Sequence, residues 1–107
     1  MKKLFFFLTL IVLSFTVMAD TYLEDHIEDT LEAKYNFITD SKNNTIELDI
    51  DVNERGNDII IVVKVDDDYY NVKKSFDKNT FNNYVKKIEQ TAKNEANGKN
   101  VIIKSYY

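Results

Sequence analysis

Two runs of strict alternation constrain this chain more than anything else in it. Ile46, Leu48, Ile50 and Val52 alternate with Glu47, Asp49 and Asp51, and Ile59, Ile61, Val63 and Val65 continue the same apolar set. A period of two places every second side chain on one side of a sheet, so each run is a strand with one buried face. The segment Asn53 to Asp58 between them contains Gly56 and turns the chain. Pairing Asn53 with Asp58 is the expected register. It sets Ile50 opposite Ile61, Leu48 opposite Val63 and Glu47 opposite Lys64, the last a favourable cross-strand charge pair.

The flanking segments extend this hairpin into an α+β domain. Thr21-Tyr22-Leu23-Glu24 has the form of a capping box. Leu23, Ile27 and Leu31 follow at helical spacing, which predicts a helix over about residues 21–34. Tyr35 to Thr39 alternates as a first strand, and Ser41-Lys42-Asn43-Asn44 is turn chemistry, because Asn tolerates positive φ. Beyond the hairpin, Asp67-Asp68 is expected as a turn into a fourth strand, Tyr69 to Lys74. Asp77 then caps a second helix with the stripe Phe81, Tyr84, Val85, Ile88 and Ala92, stopped by Asn97-Gly98. Val101 to Tyr106 closes the chain as a last strand, parallel beside the fourth or antiparallel beside the first. The expected order is α-β-β-β-β-α-β: a mainly antiparallel sheet of four to five strands with two helices on one face.

The first nineteen residues read differently. Met1-Lys2-Lys3 is a positive head, Leu4 to Met18 is apolar apart from Thr9, Ser14 and Thr16, and Val17-Met18-Ala19 precedes the polar Asp20. That is the form of a secretory signal peptide. Its apolar core is shorter than the roughly 20 residues that span a bilayer. Residues 1–19 are therefore expected as a cleaved leader and residues 20–107 as the α+β domain, exported to a periplasm or secreted, with no stable membrane insertion after cleavage. The chain has no cysteine, so nothing is available for acylation, and the mature domain must hold together by burial alone. Thirteen Lys against one Arg, with twelve Asn and no Pro, suits an AT-rich bacterial genome.

Charge divides the mature chain. Residues 20–68 carry 15 acidic and 4 basic side chains, net −11, and residues 69–107 carry 3 acidic and 8 basic, net +5. The halves either neutralise one another in the fold or steer a charged partner to one side. The acidic total argues against nucleic acid, which requires a basic face.

Chemistry is scarce. Asp49-Ile50-Asp51-Val52-Asn53 fails as a calcium loop, having Glu54 where Gly is needed and Ile60 where Glu is needed. Asp66, Asp67 and Asp68 are the weak metal candidate, since carboxylates crowded at a turn welcome a hard cation, although Asp is also an ordinary turn residue. His26 is the one histidine, and no nucleophile, base and orienter can be assembled around it. No catalytic residue and no cofactor is expected.

The side of the sheet away from the helices is the more informative place. It should be polar, yet Ile38, Ile60, Val62 and Ile102 are expected there. Tyr69 and Tyr106 are placed beside them, with Asp49 and Asp51 on one flank and Lys73 and Lys104 on the other. A rimmed apolar patch marks a protein contact, and an open sheet edge offers a rival route. The expectation is a non-enzymatic interaction module that binds another envelope or extracellular protein, or itself. The alternative is a small-ligand or Ca2+ binder using the Asp66–Asp68 turn or a pocket between helices and sheet.

Overall fold

The computed structural model describes residues 22–107. The expected leader at residues 1–19 and the cap at Thr21 lie outside them. A helix over residues 22–35, α1, leads into β1 (Phe37–Thr39), β2 (Thr45–Arg55) and β3 (Asp58–Val65). A 3-10 turn (Asp67–Tyr69) and a single-turn helix α2 (Tyr70–Lys73) follow, then α3 (Lys78–Glu95) and β4 (Asn100–Tyr106). The four strands form one mixed sheet in the order β1-β2-β3-β4, antiparallel except for β4, which runs parallel to β3. The domain is thus a small α+β unit with a four-stranded sheet.

The alternating runs form the expected hairpin, two residues out of the expected register. Arg55 pairs with Asp58, so Ile50 faces Val63, Leu48 faces Val65 and Asp49, not Glu47, faces Lys64. The loop shrinks to Gly56-Asn57. Gly56 takes a φ of 59° at the first central position, the backbone a tight hairpin requires and one that glycine adopts without strain. A shift of two keeps every side chain on its face, so the apolar set stays inward.

Ile46, Leu48, Ile50 and Val52 join Ile59, Ile61, Val63 and Val65 in one buried cluster. Leu23, Ile27 and Leu31 of α1 cover it, together with Phe81, Ile88 and Ala92 of α3 and the flanking Phe76 and Ala96. The two helices run antiparallel: His26 meets Glu95, while Tyr35 meets Thr91 and Tyr84. Asp77 caps α3 by accepting from the Asn79 backbone N–H and the Thr80 hydroxyl, and Asn97 and Gly98 end it at positive φ.

Three expectations are corrected. Tyr35 is the last residue of α1 and not the first of a strand. It continues the Leu31 stripe one turn on, and its hydroxyl lies 3.0 Å from Thr91 Oγ1. The segment Tyr69 to Lys74 is not a strand. Asp66 accepts from the Asp68 N–H at 2.9 Å and starts a helical turn with acidic residues at its N-terminal end, the arrangement a helix dipole favours. Tyr70 and Val72, the residues expected inside, are exposed. With that strand absent, the turn, α2 and α3 form one crossover, and the last strand lies parallel beside β3, not beside a fourth strand or antiparallel beside β1 as expected.

Candidate interaction surface

Because alternate side chains leave a strand on opposite sides, the registers fix the rows of the uncovered face. Phe37 sits opposite Glu47, Asp51 opposite Val62, and Asn53 opposite Ile60. Across the next pair, Ile60 sits beside Ile102, Val62 beside Lys104 and Lys64 beside Tyr106. Ile60 and Val62 are half-buried, while Ile102 and Tyr106 are 41% and 58% exposed. An apolar strip therefore runs along β3 and β4, with the carboxylates of β2 on one side and Lys104 on β4.

Ile38 does not belong to it. Ile38 pairs with Ile46 and is 1% exposed, part of the core beneath the helices. Tyr69 is also displaced: it lies in the 3-10 turn, half-buried against the core, with its ring edge-on to Phe37 at 6.4 Å. Lys73 is not on the strip's flank but in α2, where its ammonium donates to the main-chain oxygen of Tyr107 at 3.1 Å. Phe37, 54% exposed on the open side, is the surface residue that sequence reasoning missed. Of the six residues expected on the open face, four are brought together there: Ile60, Val62, Ile102 and Tyr106.

Beside the strip, a cleft of about 570 Å³ opens between the end of α1 and the sheet face, lined by Glu32, Glu47, Asp49, Asp51, Lys64 and Tyr106 among others. Burial raises the Glu47 carboxyl above its ordinary range, and the charges of Asp66, Asp49 and Asp68 raise it further. Burial also raises Asp49, helped by the charge of Asp66 and a hydrogen bond to its carboxyl, with Lys64 opposing. This wall of the cleft thus holds more negative charge than its own cations balance.

The remaining candidates have structural partners. Asp66 is occupied as a cap, and among the described residues no three Asp, Glu or His side chains gather as metal ligands would. The Asp66–Asp68 turn presents no such set. His26 stacks on Tyr22 with ring centroids 5.6 Å apart, and its Nε2 lies 3.1 Å from Glu95 Oε2, linking α1 to the end of α3.

Two further polar clusters went unread in the sequence. Asp40, 6% exposed, accepts from the backbone N–H groups of Lys42, Asn44 and Asp77 and from Asn44 Nδ2, which also donates to the Ser75 carbonyl. One carboxylate so ties the β1–β2 turn to the start of α3. Burial alone would raise it, but these hydrogen bonds outweigh burial and hold it below the ordinary aspartate range. The second cluster lies along β2. Glu24 and Glu28, one turn apart on α1, accept from the N–H groups of Glu54 and Val52 at 3.0 and 3.2 Å. They cover two N–H groups of the β2 edge that the short β1 leaves open. An i, i+4 pair of glutamates on a predicted helix was visible, but nothing in the sequence aimed it at a strand edge.

Compared with protein-family models, with curated proteins and with solved structures, the chain shows no match.

Proposed function

We propose that the mature chain is an exported, non-enzymatic protein-interaction module that binds an envelope or extracellular protein through its open sheet face or an edge strand. The observation that supports this reading is the strip of Ile60, Val62, Ile102 and Tyr106 left uncovered beside charged side chains of both signs. The test is the mass of the mature protein, and its capture of partners from an envelope extract, with and without Ile60→Lys and Val62→Lys. Loss of association in folded variants supports the reading. Unchanged association in both removes it.

A second reading, a small-ligand or Ca2+ site, has the negatively charged cleft beside Asp49 in its favour, although among the described residues its carboxylates do not gather as the ligands of an ion would. Thermal melts in calcium and in EDTA test it, since a ligand that binds only the native state raises the midpoint. Coincident melts count against it.

A further inference from the structure

The two edges of the sheet are treated differently. At the β2 side, Glu28 and Glu24 accept from the N–H groups of Val52 and Glu54, beyond the reach of β1. At the other side β4 is the outermost strand. The Asn100 N–H donates to the Asn57 carbonyl, so the even-numbered residues of β4 direct their main-chain groups to β3. By the alternation of a ladder, Val101, Ile103 and Ser105 direct theirs outward. Among the described residues nothing meets those groups. The strand has no Pro and no glycine, and its one charged side chain is Lys104.

The surroundings of that edge say what would cover it. β4 and the neighbouring α3 belong to the basic half of the chain, where 8 Lys face 3 acidic residues. Those three are already engaged: Asp77 caps α3, Glu89 pairs with Lys93, and Glu95 pairs with His26. Among the described residues Lys104 carries no ion pair, whereas Lys64, on the adjacent strand of the same face, sits opposite Asp49 and is offset by its carboxylate. A second copy is the poorer occupant, because β4 against β4 would bring two basic halves together.

We propose that the outer edge of β4 receives an extended acidic segment of a partner protein as a fifth strand. Its backbone pairs with Val101, Ile103 and Ser105, and its carboxylates lie near Lys104. This deepens the interaction-module reading and rests on it. Main-chain bonds supply the affinity in such strand addition, and side chains at alternate positions supply the selectivity.

The test uses an acetylated Val-Glu-Val-Glu-Val-Glu-Val peptide carrying a fluorophore, with the Lys-for-Glu peptide as control, read by anisotropy against the mature protein. The acidic peptide is expected to bind, at least about tenfold more tightly than the basic one, and to weaken as salt is raised. Ser105→Pro removes an outward N–H at an exposed edge position, where proline is tolerated, and should weaken binding about tenfold. Lys104→Glu leaves the backbone intact and should do the same by charge alone. Equal binding of the two peptides, or no loss in either folded variant, overturns the proposal. So does a doubling of mass that Ser105→Pro abolishes, which would make the second copy the occupant. If the peptide fails while Ile60→Lys still removes capture of a partner, only the edge assignment falls and the module reading stands.

Discussion

Glu28 Oε1 accepts a hydrogen bond from the Val52 backbone N–H at 3.2 Å, so a helix side chain does the work of a missing strand neighbour. Burial raises the Glu28 carboxyl, the Val52 bond lowers it, and the charges of Glu32, Asp51 and Asp25 raise it again, with a net upward shift. A raised carboxyl means the folded state favours the protonated form, so the charge on Glu28 opposes folding at neutral pH. Glu28→Gln keeps an acceptor oxygen and removes the charge. Its thermal midpoint at pH 7 should exceed that of the wild type, and the gap should close as the pH falls toward 4.5, the ordinary Glu value. Glu28→Ala, which leaves the Val52 N–H without its partner, should be less stable than Glu28→Gln at every pH, by about 1 kcal/mol.

The whole domain should share this acid preference over a limited range. Glu28, Glu47 and Asp49 all bind protons more readily folded than unfolded, so stability rises as pH falls from 7 toward 4.5. Asp40 behaves oppositely: its carboxyl is lowered, and its contribution is lost as pH falls below the ordinary aspartate value of 3.8. Thermal melts across pH should therefore show a maximum on the acid side of neutrality and a decline below 3.8. A midpoint that falls steadily from pH 7 downward would refute the sign assigned to the three raised groups.

Asp40 also sets a prediction at neutral pH. Asp40→Ala leaves four donors without their acceptor at a buried position, the backbone N–H groups of Lys42, Asn44 and Asp77 and the Asn44 amide. The expected outcome is a fall in Tm on the order of 10 °C. Asp40→Asn retains one acceptor oxygen and should fall by less. Scanning calorimetry of the two variants checks the order.

How far the fold could be read in advance follows from how many periods each segment offers. β2, β3 and α3 repeat their pattern several times, and each was legible in type, face and approximate extent. The hairpin register was not, because alternation fixes parity alone. Choosing between a two-residue loop and a longer one needs the energetics of Gly56 at φ 59°, and sequence offers only its presence. Tyr35 to Thr39 is too short to fix its own phase. Counting Tyr35 as strand put Ile38 on the wrong side, when the helix keeps Tyr35 and β1 points Ile38 at Ile46. Tyr69 to Lys74 offered two apolar positions to a strand, and the aspartates before it favoured a helical turn. The strip was legible wherever the strands were, at Ile60, Val62 and Ile102. The Asp40 cluster was not, since the tie that matters comes from the Asp77 N–H, remote in sequence from the Lys42 and Asn44 donors beside it.

Gly56 tests the loop that the register depends on. A Cβ added there meets nothing within 4 Å, so substitution costs only the strain of holding a side-chain-bearing residue at φ 59°. Gly56→Ala should cost about 1–2 kcal/mol, with the denaturant slope unchanged because the same surface is exposed on unfolding.

The faces assigned to Ile38 and Ile102 can be separated by one pair of substitutions. Ile38 is 1% exposed among core side chains, and Ile102 is 41% exposed on the uncovered side of the outermost strand. Ile38→Lys would bury a charge with no partner, one of the few single changes that cost about 4 kcal/mol or more. Ile102→Lys adds a solvated cation next to Lys104 and should stay within about 0.5 kcal/mol of the wild type. Urea titrations of the two variants read this directly. A wild-type midpoint for Ile38→Lys would mean that β1 presents Ile38 to solvent and that the strip extends across the whole sheet. Strong destabilisation by Ile102→Lys would mean that the strip is already covered, which removes the reason to propose a partner for it.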